Sequence, residues 1–209
     1  MTTTAARRDR QREQLIEAAE RTIAERGLAG LKARELAGEI GCALGAIYNL
    51  VRDMDELVLR VGSRTLARLD EALGHASQGA LAAAPEDAAG RLVAIALAYS
   101  AFARENPRLW RTLFEYRMAE GAEVPDWAVA EQMQLFRHIM APLGALLPEA
   151  GEPQRLLLGR TLFSAVHGVV AIGLEEKLVA VPRRELDHQI ETLVRLVCAG
   201  LAADTRLIR

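Results

Sequence analysis

Apolar residues recur every three to four positions through most of the chain, the spacing of one face of an α-helix. Leu15, Ala19 and Ile23 form one such stripe, with Ile16 beside it, and predict a helix over 10–26. Residues 1–9 ahead of it read as a mobile arm. Gly27 stands where a helix end favours glycine. Leu36, Ala37 and Ile40 predict a short helix over 32–40. Gly41 then permits a tight turn into a third helix over 44–50. Asp53 and Asp55 suit the start of a longer helix running to about 74, because carboxylates are stabilised at helix N-termini. The small, Gly- and Ala-rich stretch 75–84 reads as a connection. Further helices are predicted over 85–106 and 107–118, and after a turn at 121–125 over 126–147, with Pro142 as a kink or stop near its end. A break at 148–153 precedes two last helices, over 154–177 and 183–203. The pattern predicts about nine helices and no strand.

The last two helices differ in kind. Leu186, Ile190, Leu193, Val194, Val197 and Leu201 give the final one a single apolar face. Its predecessor has Leu162, Phe163, Val166, Val169 and Val170 around most of its circumference, thinned by Gly159, Ala165, Gly168 and Gly173. A helix apolar on most sides must be covered on most sides. One chain of this size offers limited cover, so the expected second cover is another copy, in a two-fold homodimer.

Composition agrees with an all-α chain. Of 209 residues, 51% are hydrophobic and 26% charged, the balance of a globular protein able to build its own core. All seven prolines lie at Pro85 or later, outside the first four predicted helices. The formal charge of −2 provides no global field toward nucleic acid. Locally the sign reverses: residues 1–52 hold nine Lys and Arg against seven Asp and Glu, 9 − 7 = +2. The start, MTTTAARRDRQREQ, has no apolar stretch behind its arginines, and the longest apolar run, 161–174, contains His167 and is shorter than a membrane span. Cys42 and Cys198 make no disulfide framework. The expectation is a cytoplasmic protein with no membrane association.

Two short helices joined by a glycine turn and propped by a longer first helix make a helix-turn-helix, whose last member enters the major groove. The segment LIEAAERTIAERGLAGLKARELAGEIGCALGAIYNLVRDMDELVLRV resembles the DNA-binding domain of the TetR family of bacterial one-component regulators. The likeness rests on Ala18-Ala19, Glu25-Arg26-Gly27, Glu35-Leu36-Ala37, Gly41, Gly45, Tyr48 and Asp55-Glu56-Leu57. The stretches around Tyr99–Ala103, Pro107–Phe114 and Ala165–Gly168 resemble the family's ligand-binding domains more loosely. The resemblance implies a helix-turn-helix domain over 1–52 and a ligand-binding and dimerisation domain over 53–209. It further implies a homodimeric repressor released from a palindromic double-stranded operator by a small effector. Lys32, Ala43, Leu44, Leu50, Val51 and Met54 depart from the family's usual residues, and several of these are positions that contact DNA.

Lys32, Arg34, Leu44, Gly45, Tyr48, Asn49 and Arg52 are the candidate DNA contacts, with Arg7–Arg12 in support. Tyr48 and Asn49 suit a phosphate or base edge, and Leu44 suits a thymine methyl. Eight of the nine aromatic residues lie between Tyr99 and Phe163. Tyr99, Phe102, Trp110, Phe114, Phe136, Met140, Phe163 and His167 are the candidate lining of an apolar effector pocket, with His138 a further polar candidate. Such walls suit an apolar or aromatic molecule. No phosphate loop, nucleophile elbow or paired metal-ligand motif is present, so no enzymatic activity and no cofactor are expected. Glu185 and His188 have metal-bundle spacing without a second copy of it. The alternative reading is a helical small-molecule- or partner-binding protein of the same fold that has lost specific DNA binding.

Overall fold

The structure is a computed structural model that describes residues 4–175 and 181–203. Those residues form ten α-helices and no strand: α1 (Thr4–Arg26), α2 (Ala33–Glu39), α3 (Leu44–Leu50), α4 (Met54–Ala83), α5 (Ala88–Glu105), α6 (Pro107–Glu115), α7 (Asp126–Gln134), α8 (Phe136–Leu146), α9 (Glu152–Gly173) and α10 (Leu186–Ala203). The all-α class and the N-terminal helix-turn-helix are therefore as the sequence indicates. The described residues fall into two compact units, one within Met1–Ala67 and Asn106–Glu131, the other within Arg68–Glu105 and Gln132–Arg209.

Leu15, Ile16, Ala18, Ala19 and Ile23 of α1 pack in the first unit on Leu36 and Ala37 of α2, Ile47 and Leu50 of α3, and Leu57 and Val61 of α4. Leu109 of α6 joins the same core. Two glycines turn the corners at positive φ, Gly27 (72°) after α1 and Gly41 (69°) after α2. At Gly41 the chain closes α2 with Cys42 N donating to Ala37 O at 2.9 Å. A side chain there would be strained in a left-handed conformation. Asp53 starts α4, its carboxylate accepting the Glu56 amide at 2.7 Å. The second unit packs α5 against α8, α9 and α10.

Several boundaries correct the pattern-based expectation. Residues 4–9 are the first turns of α1 rather than an arm; Met1–Thr3 lie outside the described residues. The expected connection at 75–84 is helical almost throughout, since α4 runs to Ala83. Alanine is the strongest helix former, and this stretch is anchored by buried Ser77, whose hydroxyl accepts from Arg91 Nε at 2.9 Å. The single helix over 126–147 is two, α7 and α8. Their joint is at Leu135, where i→i+3 bonds (Leu135 N to Gln132 O, 3.3 Å; His138 N to Leu135 O, 3.2 Å) tighten the chain, while Pro142 sits buried inside α8. Helix α6 ends at Glu115, three residues early, because Tyr116 turns to meet α4. The helix predicted over 154–177 ends at Gly173, and Lys177 lies outside the described residues. At Gly173 an added Cβ would come within 2.6 Å of Leu186 Cδ1, so a larger residue there would require the buried Leu186 side chain to shift.

Candidate nucleic-acid interface and aromatic cluster

Helix α3 buries Ile47 and Leu50 and turns Leu44, Gly45, Tyr48 and Asn49 outward. Leu44 is 40% and Tyr48 50% exposed. The three candidate cations flank α3 in sequence and differ in what holds them. Arg34 is exposed and has no ion-pair partner among the described residues. Lys32 Nζ lies 3.2 Å from Glu35, which also takes Arg26 at 2.9 Å. The Lys32 and Arg26 hydrogen bonds hold the Glu35 carboxyl below its ordinary range. Arg52 Nε donates to Asp53 at 2.7 Å. Asp53 is held low in turn, first by the Glu56 amide it caps and then by Arg52. Arg7, Arg8 and Arg10 are exposed on the first turns of α1, while Arg12 pairs with Glu56 at 2.7 Å.

The pairing of Arg52 sets up a measurable competition between Asp53 and any phosphate. Asp53→Asn keeps the cap, since Asn serves that position as well as Asp, and removes the competing charge. DNA affinity at low salt is expected to rise by about threefold per protomer and the gain to vanish at high salt, as for an exposed ion pair. Thermal melting should be nearly unchanged. Fluorescence anisotropy showing equal or weaker binding by the variant would exclude this competition.

Residues 106–131 belong to the same unit as the helix-turn-helix, a placement the sequence pattern did not indicate. Arg108 Nη1 donates to the carbonyls of Ala24 (3.0 Å) and Glu25, closing the C-terminus of α1 from α6. The Tyr116 hydroxyl donates to Asp55 in the first turn of α4, and Ala119 N donates to the other oxygen of Asp55 at 3.2 Å. Partial burial, then the Asp55 acceptor, pushes the Tyr116 phenol well above its ordinary value. The Arg60 guanidinium stacks on Trp127 at 4.2 Å, and Ser63 donates to Glu131 at 2.6 Å. Arg64 of α4 draws in Glu13 and Glu20 of α1, with Glu17 at 3.7 Å.

The second unit gathers part of the expected effector lining. Phe163 lies edge-on to Tyr99 (5.7 Å between ring centroids) and to Phe136 (5.6 Å), and 5.7 Å from His167. Tyr99 Oη and His167 Nδ1 are 2.7 Å apart. Burial lowers the His167 pKa and so favours the neutral ring, whose Nδ1 accepts from the tyrosine in one of its tautomers. Phe102 is buried on α5, and Met140 of α8 faces Gly159 of α9. His138 is paired with Asp70 at 2.8 Å, beside Arg137 on the same carboxylate. Trp110 and Phe114, 5.4 Å apart, belong to the first unit instead.

Helices α9 and α10 expose a run of apolar and small residues. Leu157 and Leu196 are each 67% exposed and Ile172 49%. Gly168 and Gly200 face open space. Leu143, Leu158, Leu162, Val197, Cys198 and Leu201 line a small apolar cleft in the same unit. Helix α9 is long and apolar enough by composition to cross a membrane, and only 28% of its most apolar stretch is buried within the chain.

Comparison with known proteins matches two models. Residues 15–61 match that of the bacterial regulatory proteins of the tetR family, and residues 92–197 match the tetracyclin repressor-like C-terminal domain. Among solved structures, a Rhodococcus protein of unknown function superposes with a TM-score of 0.73 at 24% identity, over 92% of this chain and 95% of its own. A tetR-family transcriptional regulator from Streptomyces coelicolor gives 0.67 at 19% identity, over 95% and 85%. A TetR transcriptional regulator from Rhodococcus gives 0.59 at 19%, over 90% and 96%. At these identities the likeness is one of fold.

Proposed function

Given that the chain belongs to the TetR family of bacterial transcriptional regulators, we propose that it is a homodimeric repressor that leaves a palindromic operator when a small apolar or aromatic effector binds. The observation that carries the DNA-binding part is the outward face of α3, flanked by exposed Arg34, Lys32 and Arg52, within the segment that matches the family. In a two-fold dimer the α3 helices would enter successive major grooves about 34–36 Å apart. Lys32, Arg34 and Arg52 would grip phosphate, Leu44, Gly45, Tyr48 and Asn49 would face the bases, and the α1 arginines would add backbone contacts. The test is a mobility-shift titration with duplexes from the region upstream of the chain's own gene. An inverted repeat retained at nanomolar protein supports the reading. Binding to no duplex at low salt favours the alternative, a helical protein of this fold with no DNA function, which the apolar character of α3 itself would suit.

The dimer is supported by the exposed apolar surface of α9 and α10. A second copy related by a two-fold axis would cover Leu157, Ile172 and Leu196, and the open glycines would allow close helix approach. The effector reading rests on the cluster of Tyr99, Phe136, Phe163 and His167, which offers aromatic walls and a few polar atoms to an apolar molecule. Coupling in such a switch is typically about 1–3 kcal/mol. Phe163→Ala is therefore expected to reduce the thermal shift given by any compound that stabilises the wild type in an aromatic-fragment screen, while ligand-free DNA binding stays within about twofold. Equal shifts in the two proteins would place the effector elsewhere.

A further inference from the structure

Among residues 4–67 only two large apolar side chains are exposed, Leu44 and Tyr48. They stand one helical turn apart on the outward face of α3, and Ala43 and Gly45 beside them are exposed too. The rest of this unit's helix-turn-helix segment buries its large apolar groups wholly or in part, so a leucine left in water at this place is an exception that contact with a partner would remove. No lysine or arginine occurs between Arg34 and Arg52. The only side-chain polar groups α3 presents are the Tyr48 hydroxyl and the Asn49 amide.

Base edges differ in what they ask of such a surface. Guanine presents two acceptors in the major groove and is read by arginine or lysine, which α3 lacks. An apolar side chain pressed on guanine would strand those acceptors without partners. Thymine alone presents a methyl group there, and adenine suits an asparagine amide. Exposed Lys32, Arg34 and Arg52, which precede and follow α3 in the chain, suit a phosphate-lined groove rather than the apolar surface of another protein.

Resting on the DNA-binding reading above, we infer that α3 selects its operator through thymine methyl groups: each half-site places a thymine, not a guanine, against Leu44. Affinity then comes from the flanking cations and selectivity from a methyl contact. A methyl group removed from water is worth about a fourfold change in binding per half-site.

The experiment uses the full chain and a random duplex library of about 30 base pairs, long enough for two half-sites. After selection, each thymine of the enriched half-site is replaced by deoxyuridine, which pairs identically and lacks only the methyl. The expected result is a half-site rich in A·T pairs in which one position, replaced in both halves, weakens binding by about fifteenfold. Leu44→Ala is expected to weaken the thymine duplex by a similar factor and to bind the uracil and thymine duplexes equally. Because Leu44 is exposed, the variant should melt with the wild type. The inference is overturned by enriched half-sites with G·C pairs at the positions facing α3, by uracil replacements that all leave binding unchanged, or by a uracil effect that persists in Leu44→Ala. Retention of no duplex even at low salt overturns the DNA-binding reading, and the inference with it; sequence-specific binding without a methyl effect overturns the inference alone.

Discussion

Replacing both Leu157 and Leu196 by glutamate is expected to convert the protein into folded monomers that no longer hold an operator. Each side chain is 67% exposed in the single chain, so neither supports the fold of its own protomer. Surface substitutions of this kind usually change stability by within about 0.5 kcal/mol. In a two-fold interface every substitution occurs twice. A carboxylate without a partner in a dry contact costs several kcal/mol even after relaxation. Two such residues per protomer are enough to weaken a dimer by about a thousandfold or more. Light scattering should then report the monomer mass at micromolar concentration with unchanged helical circular dichroism. Operator affinity should collapse, since a single head engages one half-site only. Leu81→Glu is the control: Leu81 is 39% exposed on α4, away from α9 and α10 in sequence, and its replacement should leave the dimer whole. A doubly substituted protein that remains dimeric would show that α9 and α10 are not the interface.

What was legible in the sequence follows from how local each signal is. Helix α3 was readable to its ends because Gly41 marks the turn before it and Ile47 and Leu50 supply its buried side. Asp53 signalled the start of α4 through a cap that depends on four consecutive residues. The end of α4 was not readable, since Gly74 and Gly79 suggest a connection, while the alanines favour helix and Ser77 ties the stretch to Arg91. The joint at Leu135 carries no glycine or proline. Which of the aromatic residues lie near one another was not legible for the same reason. Tyr99, Phe136, Phe163 and His167 meet because α5, α8 and α9 pack together. Trp110 and Phe114 went to the other unit because Leu109 enters its core and Arg108 closes α1. The bond of Tyr116 to Asp55 joins residues 61 positions apart, and no short pattern announces it.

Operator binding is expected to fall by about a thousandfold between 50 and 200 mM salt, and Arg34 to carry the largest single share of that dependence. Each phosphate neutralised releases counterion and contributes about −0.9 to the slope of log affinity against log salt. Lys32, Arg34 and Arg52 on two protomers would give about six such contacts, hence a slope near −5, steeper if Arg7, Arg8 and Arg10 also reach the backbone. The three flanking cations do not count equally. Lys32 must leave Glu35 and Arg52 must leave Asp53 before they meet a phosphate, so part of their attraction is spent on existing partners. Arg34 has no such partner among the described residues. Arg34→Ala should therefore reduce the slope by about 2 in the dimer and weaken every duplex alike, specific or not. Arg52→Ala should act in the same direction on the slope by less, since it removes a cation already partly neutralised by Asp53. Titrations at four or more salt concentrations on a selected and a scrambled duplex would measure both slopes. A wild-type slope shallower than about −2, or an Arg34→Ala slope equal to it, would mean that phosphate contacts do not supply the affinity.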